Sequence, residues 1–339
     1  MRRRLLLVAL LALLPAGVAS AARPASWAAA EIRLLGQDPA AFRAEATVTR
    51  GELAELVAAA TGTAPAPVAK PDVPLSIQDL DARLVAALGL TPEAKAFAAG
   101  AKAAGLAPPS RFGTEAVARL LGLRKNHAAK DDATLERLPA EPASRAEAAY
   151  SLAQIVRFRG YELERLRLAS ASFQLPELTD WQRRVLATAF KLVGYPYVWG
   201  GTSDARQVYG GKSVPGGYDC SGFVWRVYKL QAYPASGELS ATLKGRTTYA
   251  MSGEVAKAKR IAADALQPAD VVFFGAKGPR SQPAHVDHMG IYVGNGWFVH
   301  SSRYGVALEL LSGWYQERFA WGRRPLVEAG LEPAIAQKR

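Results

Sequence analysis

The stretch YDCSGFVW, residues 218–225, joins a glycine-rich loop to the start of a helix. Pro215, Gly216 and Gly217 disfavour a helix before it, whereas the apolar residues after Cys220 recur at helical spacing. The pattern therefore predicts that Cys220 lies at a helix N-terminus. Unpaired backbone N–H groups and the positive end of the helix dipole favour a thiolate at that position, and the same N–H groups can bind an oxyanion. Cys220 is accordingly a candidate nucleophile.

The N-terminus has the pattern of a secretory signal peptide. Three Arg residues precede a ten-residue apolar run from Leu5 to Leu14, and small residues follow at positions 19–21. We therefore expect residues 1–21 to be removed, and a secreted or wall-associated mature protein without a membrane-spanning segment; an uncleaved anchor is the alternative. Exported proteins tend to use cysteines in pairs, so the single Cys220 is a buried bystander, an intermolecular bridge or a reactive thiol.

The charge balance points to an anionic partner. The net charge is +12, and loss of residues 1–21 would remove three Arg and no acidic residue, which leaves +9. Wall polymers and lipid headgroups are the anions expected outside a cell. No basic run is interleaved with aromatic residues, so the sequence gives no indication of a nucleic-acid surface.

The chain divides into two parts of different composition. Residues 22–170 are rich in Ala, Leu, Arg and Glu with helical periodicity, which predicts an α-helical domain. Residues 180–327 hold six of the seven Trp and short apolar runs bounded by Gly, Pro and Asp, which predicts an α+β domain. Residues 171–179 are expected to form a linker and residues 328–339 a C-terminal tail.

The helical part contains a weak repeat. Two helices are expected to begin with a capping box, at Thr49 and at Ser144, because Glu follows three residues after each. A degenerate third copy is expected at Thr114. These helix starts resemble those of S-layer homology repeats, a resemblance that implies binding of cell-wall polysaccharide; an ordinary helical domain with good caps is the alternative.

Two histidines downstream of the thiol lie on a predicted β-hairpin around Asn295-Gly296. Side chains alternate along a strand, so a plain two-residue loop would pair His300 with Ile291 and set its ring opposite to that of His288. A three-residue loop or an equivalent bulge would pair His300 with Gly290 and bring both rings to one face. We expect the second arrangement, with His288 as the base and His300 as the residue that orients it.

A zinc site is the other chemistry that these residues suggest. His285 precedes His288 by three residues and Cys220 could add a third ligand. Zinc sites usually have more closely spaced ligands, and the chain has no second cysteine. We therefore expect neither a metal nor another cofactor.

Several motifs together resemble the NlpC/P60 peptidases over residues 180–325. The matching segments are YPYVWGG (195–201), DCSG (219–222), LQPAD (266–270), HMGIYVGNG (288–296) and His300. The resemblance implies a papain-like α+β fold that hydrolyses wall peptides, commonly between D-glutamate and the next, diamino residue.

The same resemblance assigns site residues. It implies a catalytic triad of Cys220, His288 and His300. Tyr197, Asp219 and Ser221 fall where members often contact the substrate's amine or line the site. Two segments, 203–217 and 275–287, are longer than is usual in the family, and we expect them to border the cleft.

The sequence therefore predicts a secreted cysteine endopeptidase that acts on peptidoglycan stem peptides. Two other functions stay open at this point. One is a non-catalytic wall-binding protein with a vestigial peptidase domain, which the complete Cys/His/His set disfavours. The other is a thiol acyltransferase, for which the chemistry of the nucleophile would be the same.

Overall fold

The computed structural model describes residues 26–125, 136–209, 212–214 and 216–333. The predicted signal peptide and the end of the predicted tail lie outside these residues. Within the described ranges, no helix is both long and apolar enough to cross a membrane.

The first part of the chain is helical, as expected. Its helices are α1 (Ala29–Leu34), α2 (Arg50–Thr61), α3 (Ile77–Ala87), α4 (Thr91–Ala103), α5 (Phe112–Leu120), α6 (Arg145–Arg157) and α7 (Tyr161–Ser172). Both predicted capping boxes are present, at Thr49 of α2 and Ser144 of α6, and each has the reciprocal bonds to Glu. The predicted copy at Thr114 is wrong: that residue lies inside α5, whose N-cap is Arg111 and makes no side-chain cap.

The third member of the repeat is α3. Ser76 caps this helix, and Asp79 in place of Glu completes the capping box. The extended segments before the three capped helices also bond to one another in a closed ring. The N–H groups of Val48, Leu75 and Ala143 donate to the carbonyl oxygens of Ala143, Val48 and Leu75 respectively, at 2.9, 3.0 and 2.8 Å. This ring gives the helical part an approximate threefold arrangement.

The second part combines helices with an antiparallel sheet. Its helices are α8 (Asp180–Lys191), α9 (Cys220–Trp225), α10 (Leu239–Thr242), α11 (Thr248–Gly253), α12 (Trp314–Arg318) and α13 (Pro325–Glu328). Its strands are β1 (Thr202–Ser203), β2 (Gln207–Tyr209), β3 (Lys212–Val214), β4 (Gly217–Tyr218), β5 (Val271–Gly275), β6 (Val286–Gly294), β7 (Trp297–Ser302), β8 (Gly305–Leu310) and β9 (Phe319–Arg323). The five-stranded sheet has the order β8-β7-β6-β5-β9, with neighbours antiparallel. The α+β class and the preceding helical region are confirmed.

One apolar core runs through both parts. Trp297 of β7 is fully buried, and its ring makes edge contacts with Phe97 of α4 at 5.7 Å and Phe173 at 5.3 Å. Phe112 of α5 stacks on Phe190 of α8 at 4.7 Å. Phe173 and Leu178 lie within the segment expected to be a linker, and both are buried. The division at residues 171–179 stays a prediction, but its apolar side chains belong to the shared core.

Buried charges accompany this contact. Arg119 of α5 pairs with Glu136 at 2.6 Å and donates to the carbonyl oxygens of Gly194 at 2.5 Å and Tyr304 at 2.7 Å. Glu115, one turn earlier on α5, lies so close to Gly194 that a Cβ added there would come within 2.6 Å of its carboxyl group. Two backbone carbonyls therefore hold the helical part against the sheet domain. One is that of Gly194, just before the segment 195–201, and the other is that of Tyr304, just after β7.

Candidate active site

The thiol lies at the first residue of a helix, as the sequence predicts. Asp219 is the N-cap of α9, and its carboxylate accepts the N–H of Gly222. Helix α9 begins at Cys220, whose side chain is partly exposed. The short β1–β4 pair, with Thr202 opposite Tyr218, brings the preceding loop beside this helix start.

A close backbone contact explains why the DCSG motif has a glycine at position 222. A Cβ at Gly222 would collide with the carbonyl oxygen of Gly201. The loop that carries Gly200 and Gly201 thus packs directly on the first turn of α9, and the Gly200 N–H donates to Asp219 at 2.8 Å. Only a residue without a side chain permits this contact.

The hairpin register confirms the predicted pairing. His300 on β7 lies opposite Gly290 on β6, and the register shifts between Tyr292 and Gly294. The turn itself has two residues, so a bulge beside it supplies the extra residue that a three-residue loop would have supplied. The bulge keeps both histidine rings on one face of the sheet.

The two rings hydrogen bond directly. His288 Nε2 lies 2.7 Å from His300 Nδ1, and the ring planes are close to perpendicular. His300 is 1% exposed, and its ring packs against Phe298 at 4.8 Å and Tyr315 of α12 at 5.2 Å. Packing against these two aromatic rings fixes the His300 ring and, through the hydrogen bond, the His288 ring.

Burial sets the charge state of the site. It lowers the pKa of His288 from 6.5 to about 4, with a smaller opposing effect from Asp287, and lowers that of His300 well below its usual range. Burial also raises the pKa of the Cys220 thiol, while the Thr248 hydroxyl and the N–H of Met289 act in the opposite direction. Burial therefore favours the neutral forms of the thiol and of both imidazoles.

The residues expected to bind substrate lie beside the thiol. Asp219 and Ser221 are 9% and 5% exposed, and the Ser221 hydroxyl donates to Asp219 at 3.0 Å. Tyr197 is partly buried, and desolvation followed by the charges of Cys220 and Asp219 raises its pKa well above the usual value. Their role as substrate contacts stays a prediction.

Sequence reasoning missed two residues of this site. Arg246 donates to the Ser221 hydroxyl at 2.7 Å and to the Gly200 carbonyl at 3.0 Å, and lies 3.4 Å from Asp219. Thr248 Oγ1 lies 3.3 Å from Cys220 Sγ. Both come from a loop and helix start more than twenty residues after the thiol, and no local motif singles them out.

The arrangement contains the parts of a nucleophilic site. Strand β6, which carries His288, packs against α9. Among the described residues, the side chain that hydrogen bonds to the sulfur is Thr248 rather than either histidine. A thiol at a helix start and a hydrogen-bonded imidazole pair can together support attack on a carbonyl.

Comparison with known proteins matches the same part of the chain. The relatives include LytE of Bacillus subtilis, named a probable peptidoglycan endopeptidase, which is 36% identical over 132 residues, or 39% of this chain and 30% of that protein. The γ-D-glutamyl-L-lysine dipeptidyl-peptidase of B. subtilis is 28% identical over 38% of this chain and 34% of its own length. Murein DD-endopeptidase MepH of Escherichia coli is 32% identical, with 41% and 44% covered. The chain thus spans less than half of the length of each of these relatives.

A solved structure of an NlpC/P60 family protein from Bacillus cereus is also similar, with 24% identity, a TM-score of 0.32, and coverage of 46% of this chain and 43% of that one. The family match extends over residues 194–324, which include the helix start, the hairpin and both histidines described above. An NlpC/P60 family domain is thus detected at residues 194–324.

Proposed function

We propose that this protein is a secreted cysteine endopeptidase that hydrolyses the peptide part of bacterial peptidoglycan through Cys220, His288 and His300. The hydrogen bond of 2.7 Å between His288 on β6 and His300 on β7, beside the helix that begins with the chain's only cysteine, carries the proposal. The names of the relatives, which refer to peptidoglycan, murein or a γ-D-glutamyl-L-lysine dipeptide, support the choice of substrate.

The charge states define the role of each histidine. With a pKa lowered to about 4, His288 is neutral near pH 7 and can accept a proton. In the proposed mechanism, His300 accepts the Nε2–H of His288 at Nδ1, which leaves the lone pair on His288 Nδ1 for the thiol proton. His300 is thus the positioning residue of the triad.

Acyl transfer then proceeds in two steps. The Cys220 sulfur attacks the amide carbon as its proton passes to His288, and the resulting oxyanion is bound at the start of α9. The Gly222 N–H is committed to the Asp219 cap, so the N–H of Cys220 is the main-chain donor that we assign to the oxyanion. His288 protonates the leaving amine, and water hydrolyses the thioester to regenerate the thiol.

The finer substrate assignment follows the family resemblance. We propose that the scissile bond joins D-glutamate to a diamino residue, with Tyr197, Asp219 and Ser221 lining the subsite before it. The carboxylate of Asp219 already accepts bonds from Gly200, Ser221 and Gly222, and Arg246 lies 3.4 Å away. A substrate amine at this position would therefore share Asp219 with Arg246.

The helical part is proposed to hold the enzyme on anionic wall polysaccharide, with residues 1–21 directing export. The capped three-helix arrangement and the resemblance to S-layer homology repeats support this role. Full-length Cys220→Ala protein should sediment with intact walls and stay largely in solution when the walls have been stripped of secondary polymers by acid. Equal sedimentation with both preparations would contradict wall-polymer binding.

The direct test uses purified peptidoglycan and mass spectrometry of the released fragments. Wild-type protein should release peptides with new free ends, whereas Cys220→Ala and His288→Ala should release none above background. His285→Ala is the matched control, because His285 lies exposed just before β6 and has no role in the proposal. Undiminished release by Cys220→Ala would refute the nucleophile and favour a wall-binding protein, and products with a new amide or ester would identify an acyltransferase.

A further inference from the structure

The Thr248 side chain occupies an unusual position for a buried hydroxyl. It is 7% exposed, and its Oγ1 lies 3.3 Å from the Cys220 sulfur. Among the described residues this sulfur is the hydroxyl's hydrogen-bond partner. Buried hydroxyls normally form a hydrogen bond that offsets the free-energy cost of their desolvation. Here the partner in that bond is the sulfur of the proposed nucleophile.

The Thr248 hydroxyl does not cap the helix in which it lies. The N-cap of α11 is the preceding residue, Thr247, whose side chain accepts the Ala250 N–H at 3.3 Å. Thr248 is the first helical residue, and its β-branched side chain has few rotamers. A structural explanation in terms of helix capping therefore applies to Thr247 and not to Thr248.

The segment that carries Thr248 is hydrogen bonded to residues on both sides of Cys220 in the chain. Arg246 bonds to the Ser221 hydroxyl and to the Gly200 carbonyl, so this segment is tied both to the residue after Cys220 and to the loop before it. Helix α11 also packs against β6, which carries His288. The Thr248 hydroxyl is thus held opposite the sulfur by contacts on both sides.

We propose that Thr248 is a further catalytic residue, whose hydroxyl donates a hydrogen bond to the Cys220 sulfur and stabilises the thiolate as its proton leaves. The inference rests on the proposed function, since it takes Cys220 as the nucleophile. A hydroxyl can accept from a thiol and donate to a thiolate, so one contact serves both protonation states. The proton itself goes to His288, and the Thr248 O–H bond stays intact. In a site where burial disfavours the thiolate, this donor offsets part of that effect.

The test compares Thr248→Val, which keeps the shape and removes the hydroxyl, with Thr248→Ser, which keeps the hydroxyl. The rate of Cys220 alkylation by iodoacetamide is measured against pH, because it reports the thiolate without requiring hydrolysis. Thr248→Val should raise the apparent thiol pKa by about one unit, which lowers the alkylation rate about tenfold below that pKa. Thr248→Ser should stay close to wild type. Thr188→Val is the matched control, since its hydroxyl bonds within α8 to the Arg184 carbonyl.

Two results would overturn the inference. One is an unchanged alkylation profile in a folded Thr248→Val protein, and the other is a Thr248→Ser profile as impaired as that of Thr248→Val. Thermal unfolding monitors the fold of each variant, and Thr248→Ala replaces Thr248→Val if the valine is not accommodated. Failure of the proposed function is separate, because it would appear as wall hydrolysis that survives Cys220→Ala, whatever the alkylation profiles show.

Discussion

Glu115 is a buried carboxyl group that we expect to lower the stability of the fold at neutral pH, because it ionises readily only in the unfolded chain. Its side chain is fully buried on α5, and neither carboxylate oxygen has a hydrogen-bond partner among the described residues. Burial raises its pKa from 4.5 to about 8; Asp81 adds to this effect, whereas Arg119, Arg124 and Arg111 oppose it. The folded protein therefore keeps a proton on Glu115 that the unfolded chain releases.

The sign and size of the effect follow from this difference. Because the folded pKa is higher than the unfolded one, stability falls as pH rises from about 4.5 and levels off above about 8. About 2.5 pH units separate 4.5 from pH 7, and each is worth about 1.36 kcal/mol, so the loss at pH 7 is about 3 kcal/mol. Glu115→Gln removes the ionisation at nearly constant volume. We expect it to raise the free energy of unfolding by that amount at pH 7, and to have little effect near pH 4.5.

Urea unfolding of the full chain at pH 4.5, 7 and 8.5 measures this difference. Glu136→Gln is the contrasting control, since Glu136 is equally buried but pairs with Arg119 at 2.6 Å and Arg124 at 3.3 Å. Loss of one partner from such a pair destabilises a protein, by about 3 kcal/mol or more. Stability curves for wild type and Glu115→Gln that run parallel from pH 4.5 to 8.5 would refute the reasoning.

Three further predictions concern the site. Alkylation of wild-type Cys220 should accelerate with pH through neutrality to beyond pH 9, because burial raises the thiol pKa; a plateau below pH 7 would instead indicate a preformed thiolate–imidazolium pair. His300→Gln should lower kcat on a stem peptide by about a hundredfold with little change in KM, because it disturbs only the orientation and tautomer of the base; a change confined to KM would argue for substrate binding. Gly290→Ala would place a Cβ 2.7 Å from the Val299 carbonyl oxygen and 3.0 Å from His300 Cβ, so we expect a loss of about 1–3 kcal/mol in unfolding experiments together with a lower kcat. Wild-type stability and kcat in that variant would contradict the tight hairpin packing.

Much of the site could be predicted because its parts are local. The break at Gly216 and Gly217 followed by helical spacing places Cys220 at a helix start, and the structure has α9 begin there. Parity along two strands joined by a short turn restricts His300 to two positions, and only one of them faces His288. These inferences depend on backbone geometry over a few residues.

The helical part shows where such reasoning fails. The pattern of Ser or Thr followed by Glu does not identify Ser76 as the third helix start, because Asp79 stands where the other two copies have Glu, although Asp completes the box as well. The segment 113–118 predicts a helix start at Thr114, but this residue lies inside α5, whose N-cap is Arg111. The hydrogen-bonded ring that relates the repeats joins segments far apart in the chain, so no short window of sequence contains it.

The sequence by itself determined that the only cysteine begins a helix and that two histidines can share one face of a hairpin, because both follow from the periodicity of local backbone structure. Tertiary structure alone decided which groups reach the sulfur. Thr248 and Arg246 arrive from a separate helix start, and α5 joins the domain through Arg119 and the shared core. Contacts of this kind depend on how whole elements pack, and the residues that make them carry no local signal of their partners.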